Sequence, residues 1–383
     1  MNRPRTTRRS STFRRPSRYS GGSRRRPGEG CSRMIDELEH GLAVIGSYTE
    51  SGEAGLTSYQ LEGNSIERLD VADEPNPSFL DVHPSEPLIV AVNECESGEA
   101  VSYEVDSTNG QFTRLDRTET GDAGPCHVEV GPYGKYAIVA HYAGGSVALL
   151  SLRTDGALDG PLDLRRHEGG GPKNDRQASP HPHSAQFVTD SLVYVPDLGA
   201  DRVAVYELDR DTDRLRPLPD AAVSCRPGSG PRHFTVHPTA PVGYLVNELN
   251  ATLSVIDLAD PHRPTIVETL STLPDGVEST DTLAADVHVH PSVEYLFASN
   301  RGHDSLATFR ICASPEEMVR EAVTPTGGRW PRNFAIHPDS ERIFVCHQHS
   351  NDVTLCAFDV VTGELYSKES LTKIGSPTCL RFI

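Results

Sequence analysis

The sequence predicts an all-β fold, a seven-bladed β-propeller of four-stranded antiparallel blades closed by pairing of the C-terminal strand with the N-terminal blade. Three observations carry this reading. A phrase that opens a short strand recurs at intervals of about fifty residues, beginning at Pro77, Pro125, Pro182, Pro231, Ala285, Pro331 and Pro377. Five of these phrases run into a turn of the His-Pro type: His83-Pro84, Gly131-Pro132, His237-Pro238, His290-Pro291 and His337-Pro338. A second apolar run then returns in the same register each time, at residues 42–47, 88–93, 136–141, 192–197, 242–247, 295–300 and 342–347. One blade per repeat, with the blades closing in a ring, is the architecture that buries such strands.

Each element follows from its local pattern. The opening strand is short and alternating, as in His233-Phe234-Thr235-Val236-His237, and a Pro-containing turn ends it. The returning run leads through a polar turn to a third alternating strand, such as Thr252-Leu253-Ser254-Val255-Ile256, and a more polar fourth strand completes the blade. The first unit has a second and a third strand but no opening strand, whereas the chain finishes on an unpaired opening strand at 377–383. Joined, these fragments make one blade and remove the exposed edges of an open stack. The stretch from Arg165 to Pro182, rich in Gly, Pro and charge, is too long for a blade turn; it reads as a flexible loop over one face, either a lid or a passive insertion.

Composition divides the chain in two. Residues 1–33 carry eleven arginines and one acid, Glu29, and form a leader that composition makes disordered; either it is a basic arm able to meet nucleic acid, or the real start is Met34. Residues 34–383, the propeller domain, hold 25 bases against 53 acids, and the whole chain has only four lysines: Lys135, Lys173, Lys368 and Lys373. A body so acidic is not expected to bind nucleic acid, and it stays hydrated at high salt, so a halophilic cytoplasm is the expected setting. No apolar run approaches the roughly 20 residues needed to span a bilayer, and no secretory signal precedes the repeats. The eight cysteines include no C-x-x-C pair and read as buried strand residues rather than a zinc site or disulfide framework.

Chemistry is expected where the repeat breaks. The start of a blade's first strand and the end of its second meet on one face of the disc. The recurring His83, His237, His290 and His337 therefore sit at the other end and read as turn devices. On the first face, His183, Arg232, Glu248, Arg301 and Arg332 converge from consecutive or nearly consecutive blades. Three arginines aimed into one opening imply an anion, since guanidinium forks hold phosphate or carboxylate oxygens bidentately; alternatively each pairs with an acid such as Glu248, Glu94 or Asp286. His183 and Glu248 are the available acid and base groups. Asn247 and Asn300, at the ends of second strands, read as turn formers first and ligand-binding residues second. No catalytic metal and no cofactor is expected: no helical His-x-x-x-His pair occurs, and His347-x-His349 lacks acidic company.

These same segments carry a family resemblance. Gly230-Pro231-Arg232-His233-Phe234, Val246-Asn247-Glu248-Leu249-Asn250, Ala284-Ala285-Asp286-Val287-His288 and the Ser-Asn-Arg ending at Arg301 resemble the seven-bladed lactonase family. That family includes the propeller-type 6-phosphogluconolactonase of bacteria and the fungal carboxy-cis,cis-muconate cyclase. His183-Ser184-Ala185 looks like the family's His-Ser-Ala element, and Pro331-Arg332-Asn333-Phe334 like its later Pro-Arg-Gly-Phe. The resemblance covers residues 41–383 and implies a metal-free lactone hydrolase with His183, Glu248, Arg232 and Arg301 as catalytic residues and Arg332, Asn247, Asn300 and His233 binding substrate. Departures are His181-Pro182-His183 in place of Gly-Cys-His, which makes His181 a competitor of His183, the 165–182 insertion, and Trp330.

The expected reaction is hydrolysis of a small anionic sugar-derived δ-lactone, 6-phosphogluconolactone foremost. The arginines hold the phosphate or polarise the carbonyl, and His183 or Glu248 deprotonates water. The alternatives are a muconate-type cyclase or hydrolase acting on a dicarboxylate, and a non-catalytic binding platform.

Overall fold

The computed structural model describes residues 41–49, 52, 55–62 and 65–383, with nothing stated of the side chains of 367–369. The Arg-rich leader and Met34 lie outside the described residues. Seven antiparallel sheets follow one another around a ring. Blade 1 comprises Gly41–Ser47, Leu56–Glu62 and Ser65–Ala72 with the C-terminal strand Pro377–Phe382 on its inner edge. Blades 2 to 7 occupy residues 77–119, 125–166, 182–224, 231–271, 283–325 and 331–373.

Closure takes the expected form. Ala43 pairs with Phe382, Ile45 with Leu380 and Gly46 with Cys379, so the last strand supplies the opening strand that the first blade lacks. The second and third strands are buried almost throughout because each blade is covered on both faces by its neighbours. Tyr194 and Val205 of blade 4, for example, share one apolar cluster with Phe234, Leu245 and Ile256 of blade 5. Fourth strands, at the rim, alternate and carry the charge, as in Thr265–Ser271.

The His-Pro turns work through the imidazole. Nδ1 of His237 accepts from the backbone N–H of Thr239 and Ala240 at 3.2 and 3.0 Å, and Nδ1 of His83 accepts from Ser85 and Glu86 at 3.3 and 3.1 Å. His290 and His337 make the corresponding bond to Ser292 and Asp339. A proline at the second turn position removes one N–H, and the ring caps those that follow.

Blade 4 departs from the repeat. Its opening strand shrinks to Gln186–Phe187, with an isolated bridge between Pro182 and Asp197, because residues 167–182 are occupied in crossing the face above.

Candidate active site

The opening prolines build the site. Pro77, Pro125, Pro231 and Pro331 each pair with the last residue of the returning strand, respectively Asn93, His141, Asn247 and His347. In all four the register then slips by one residue, so Ser78, Cys126, Arg232 and Arg332 have no ladder partner. Proline lacks the N–H that would continue the ladder, and the resulting bulge re-aims the following side chain. In blade 4 His183 occupies the equivalent position after the Pro182 bridge. In blade 6 the slip spans Ala284 to Val287 and leaves two residues, Ala285 and Asp286, outside the ladder.

Glu248 is the hub. It begins a single 3-10 turn, Glu248–Asn250, after the returning strand of blade 5, and it is almost fully buried. Its Oε2 lies 2.6 Å from Arg301 Nη2 and 3.0 Å from Arg232 Nε, and its Oε1 lies 2.5 Å from Arg176 Nη2. Arg232 also donates to Ala285 O at 2.5 Å and Arg301 to Ala284 O at 3.2 Å. The Nε atoms of Arg232 and Arg301 are buried and make no hydrogen bond within the protein, that of Arg232 meeting Glu248 as an ion pair only. Burial raises the Glu248 carboxyl, but Arg301, Arg232 and Arg176 outweigh it and hold it down at about 2. Burial and the charges of Arg301 and Arg332 push Arg232 down to about 9 against the pull of Glu248.

Arg332 faces the hub from blade 7. Its Nη2 stands 4.0 Å from Glu94 Oε2 and its guanidinium lies over the Tyr48 ring at 5.4 Å, while Tyr48 Oη donates to Glu94 at 2.8 Å. Four guanidiniums thus surround two carboxylates. Of the acid partners open to the arginines from sequence, Glu248 and Glu94 take that role and Asp286 does not: it accepts from His233 Nδ1 at 2.8 Å, His288 Nε2 at 3.0 Å and Asn333 Nδ2 at 2.6 Å.

The imidazoles form the channel wall. Asp286 fixes His233 with its proton on Nδ1, which leaves Nε2 as a buried acceptor without a partner. His183 is 5 % exposed and stands edge-to-face with His233 at 5.5 Å and with Tyr142 at 5.4 Å. Burial first, then Arg232 and His233, hold His183 well below the ordinary imidazole value, so it is neutral at pH 7. Burial and Arg232 likewise lower His233, to about 4, against the Asp286 bond. His181 lies on the other side of its contact with Tyr142, stacked at 4.5 Å with Nδ1 donating to Tyr142 O at 2.7 Å. Cys126 Sγ sits 3.8 Å from His183 Nδ1, but burial pushes its thiol up and keeps it protonated.

Asn247 and Asn300 face their own turns. Asn247 Nδ2 donates to Thr252 and Ser254, and Asn300 is bonded through both amide atoms to Thr272 and through Nδ2 to Ser305. Trp330, with φ at 67°, lies 5.6 Å below the Arg301 guanidinium and stacks on His349 at 4.5 Å. Sequence reasoning missed Arg176. Arg176 belongs to the insertion, which has no counterpart in other blades, so no register pointed to it. Among the described residues no three His, Cys, Asp or Glu side chains converge as a metal ion needs.

Comparison with known proteins follows the same outline. The family model described as lactonase, 7-bladed beta-propeller, matches residues 42–382. The chain belongs to the seven-bladed β-propeller lactonase family. Among curated members, the 6-phosphogluconolactonase of Bacillus subtilis (strain 168) is 26 % identical over 89 % of this chain and 98 % of its own length. That of Formosa agariphila is 30 % identical over 85 % of this chain and 90 % of its own. Among solved lactonase structures, the periplasmic gluconolactonase of Pseudomonas aeruginosa superposes with a TM-score of 0.84 at 29 % identity, covering 90 % of this chain and 99 % of that one. No helix among the described residues of this lactonase is long and apolar enough to cross a membrane.

Proposed function

We propose that this lactonase hydrolyses a sugar-derived δ-lactone, 6-phosphogluconolactone foremost, by attack of a water activated at His183 on a carbonyl polarised by Arg232 and Arg301. One observation carries the reading: two almost fully buried guanidiniums share one carboxylate in the same mouth as a neutral imidazole. Donors fixed before the reaction stabilise the oxyanion of a tetrahedral intermediate without reorganising, and a neutral imidazole can take the proton of the attacking water. Collapse of the intermediate breaks the ring C–O bond, and the proton held by His183 passes to the departing ring oxygen.

Glu248 acts as a positioning residue in this scheme. Both its oxygens are engaged by guanidiniums, which leaves neither free to take a proton from water. Arg332 completes the positive rim, and His233 borders the imidazole wall. The names of the Bacillus and Formosa relatives support the phosphorylated substrate, and that of the Pseudomonas neighbour the unphosphorylated one.

We place the enzyme in the cytoplasm of a salt-tolerant cell. The seven described cysteines are free thiols, which suits a reducing compartment. The acid-rich, lysine-poor body suits high salt.

The test is a proton-release assay at high salt with 6-phosphogluconolactone and δ-gluconolactone. Turnover above the buffer rate, abolished in His183→Ala, is expected; rates equal to buffer with both lactones reject the proposal.

A further inference from the structure

The insertion joins the active site through Arg176, and its sequence alone left open whether it is a lid or passive. It is pinned at several points. His167 Nδ1 donates to Asp197 at 2.7 Å, Gln177 Nε2 to Leu198 O at 2.8 Å, and Lys173 Nζ to Leu249 O at 2.6 Å. The N–H groups of Arg176 and Gln177 both donate to Lys173 O, at 2.9 and 2.7 Å, closing a turn that presents Arg176 to Glu248. Gln177 is fully buried beneath it.

Arg176 differs from the other guanidiniums of the mouth in what it has left to offer. The side chains of Arg232 and Arg301 are 2 % and 5 % exposed and are committed to Glu248 and to blade carbonyls; that of Arg332 is 14 % exposed; that of Arg176 is 31 % exposed. A single nitrogen of Arg176, Nη2, meets both Glu248 and Tyr142, and its Nε and Nη1 have no hydrogen-bond partner among the described residues. Beside it opens a cavity of about 610 Å³, bordered by Lys173, Asp175, Leu249, Glu278 and Ser279. Arg176 lines this cavity and also touches Glu248, the carboxylate that holds Arg232 and Arg301.

We propose that Arg176 reads a distal phosphate on the substrate, so that the insertion selects phosphorylated over neutral lactones. This assignment rests on the lactonase reading of the site. Arg176 keeps the N–H groups of Nη1 free to donate to a phosphate oxygen and brings a full positive charge, while Lys173 adds a point charge at the cavity wall. Asp175 and Glu278, which also border the cavity, are solvent-exposed, where salt screens them most strongly.

The deciding experiment compares wild type, Arg176→Gln and Arg176→Lys on 6-phosphogluconolactone and δ-gluconolactone, with calorimetric titration of inorganic phosphate alongside. In Arg176→Gln the ratio of kcat/KM for the phosphorylated over the neutral lactone should fall about ten- to hundredfold, chiefly through KM, as expected for loss of a charge-assisted hydrogen bond. Arg176→Lys should recover part of that ratio, and phosphate should bind Arg176→Gln at least about tenfold more weakly. Equal losses on the two lactones would show that Arg176 only positions Glu248, and an unchanged ratio would remove it from recognition altogether; either overturns the proposal. If the wild type hydrolyses neither lactone, the hydrolytic reading falls by itself. Phosphate affinity then decides the Arg176 assignment: weaker binding to Arg176→Gln supports it and equal binding overturns it.

Discussion

Glu248→Gln separates the two roles that sequence left open for this carboxylate. The substitution keeps the shape but replaces one acceptor oxygen by an NH₂ donor, so at least one guanidinium now faces a donor. It also removes the only carboxylate within ion-pair distance of both Arg232 and Arg301 among the described residues, although both arginines are almost fully buried. Removing one partner of a buried pair typically costs about 3–5 kcal/mol, because a charge is left without compensation. At about 2–4 °C per kcal/mol, the melting temperature should fall by roughly 6 to 20 °C, toward the lower end for a body of this size.

The second half of the prediction concerns anions. With Glu248 neutral, four guanidiniums face one remaining carboxylate, and a phosphate ion entering the mouth can take the vacated role. Inorganic phosphate at a hundredfold over its dissociation constant contributes about 2.7 kcal/mol to stability, which recovers much of the loss. Differential scanning calorimetry with and without phosphate should therefore show a destabilised variant that phosphate rescues by more degrees than it adds to the wild type. A catalytic base would behave otherwise, with turnover lost and melting unchanged. Melting of Glu248→Gln at the wild-type temperature, with no added response to phosphate, would refute the hub assignment.

Other consequences can be measured on the same protein. Arg301→Ala removes a guanidinium proposed to polarise the carbonyl and should lower kcat by about 10² to 10³ while circular dichroism stays that of the wild type; retained turnover rejects its assignment. His183 has its pKa depressed by burial and by Arg232, so the neutral, proton-accepting form prevails above that depressed value and activity is lost only as pH falls through it. The kcat/KM profile should then be level through the ordinary imidazole region near 6.5, and an acid limb centred there contradicts the environment described for His183. Raising salt from about 0.1 to 1 M shortens the screening length from about 10 to 3 Å, so KM for an anionic lactone should fall as the repulsion of the acidic body is screened, with KM for δ-gluconolactone unaffected; a KM that rises with salt for the anionic substrate contradicts this.

What could be read from the sequence follows from repetition. The ring, its closure and the two faces of the disc emerge because a residue that recurs at Pro231 and Pro331 must occupy one place in every blade, and Arg232 and Arg332 then share one mouth. The proline itself explains why the next side chain turns inward, since it cannot donate to the ladder and leaves a bulge behind it. Pairing within the mouth was not legible in this way. Glu248 could be read as base or partner, and only coordinates show three guanidiniums on its two oxygens. Asp286, open as an arginine partner, instead orients His233 and His288, because the double slip in blade 6 sets it beside the histidines. Arg176 had no register at all. Its placement depends on the bonds that fasten residues 167–177 to blades 4 and 5, which no periodicity encodes.

The charge arrangement poses a conflict that the fold resolves by distance. Residues 34–383 carry 28 more acids than bases, so at long range the body repels an anionic lactone of the kind proposed as its substrate. Within the mouth the balance reverses, with four guanidiniums around two carboxylates, and the burial of Arg232, Arg301 and Glu248 keeps water and salt from weakening the field at its centre. An anion must therefore come within a few ångströms before it is attracted, and only a molecule small enough to enter the mouth can do so. Buried arginines without Glu248 would repel one another; Glu248 holds them together, and the mouth still keeps a net positive charge.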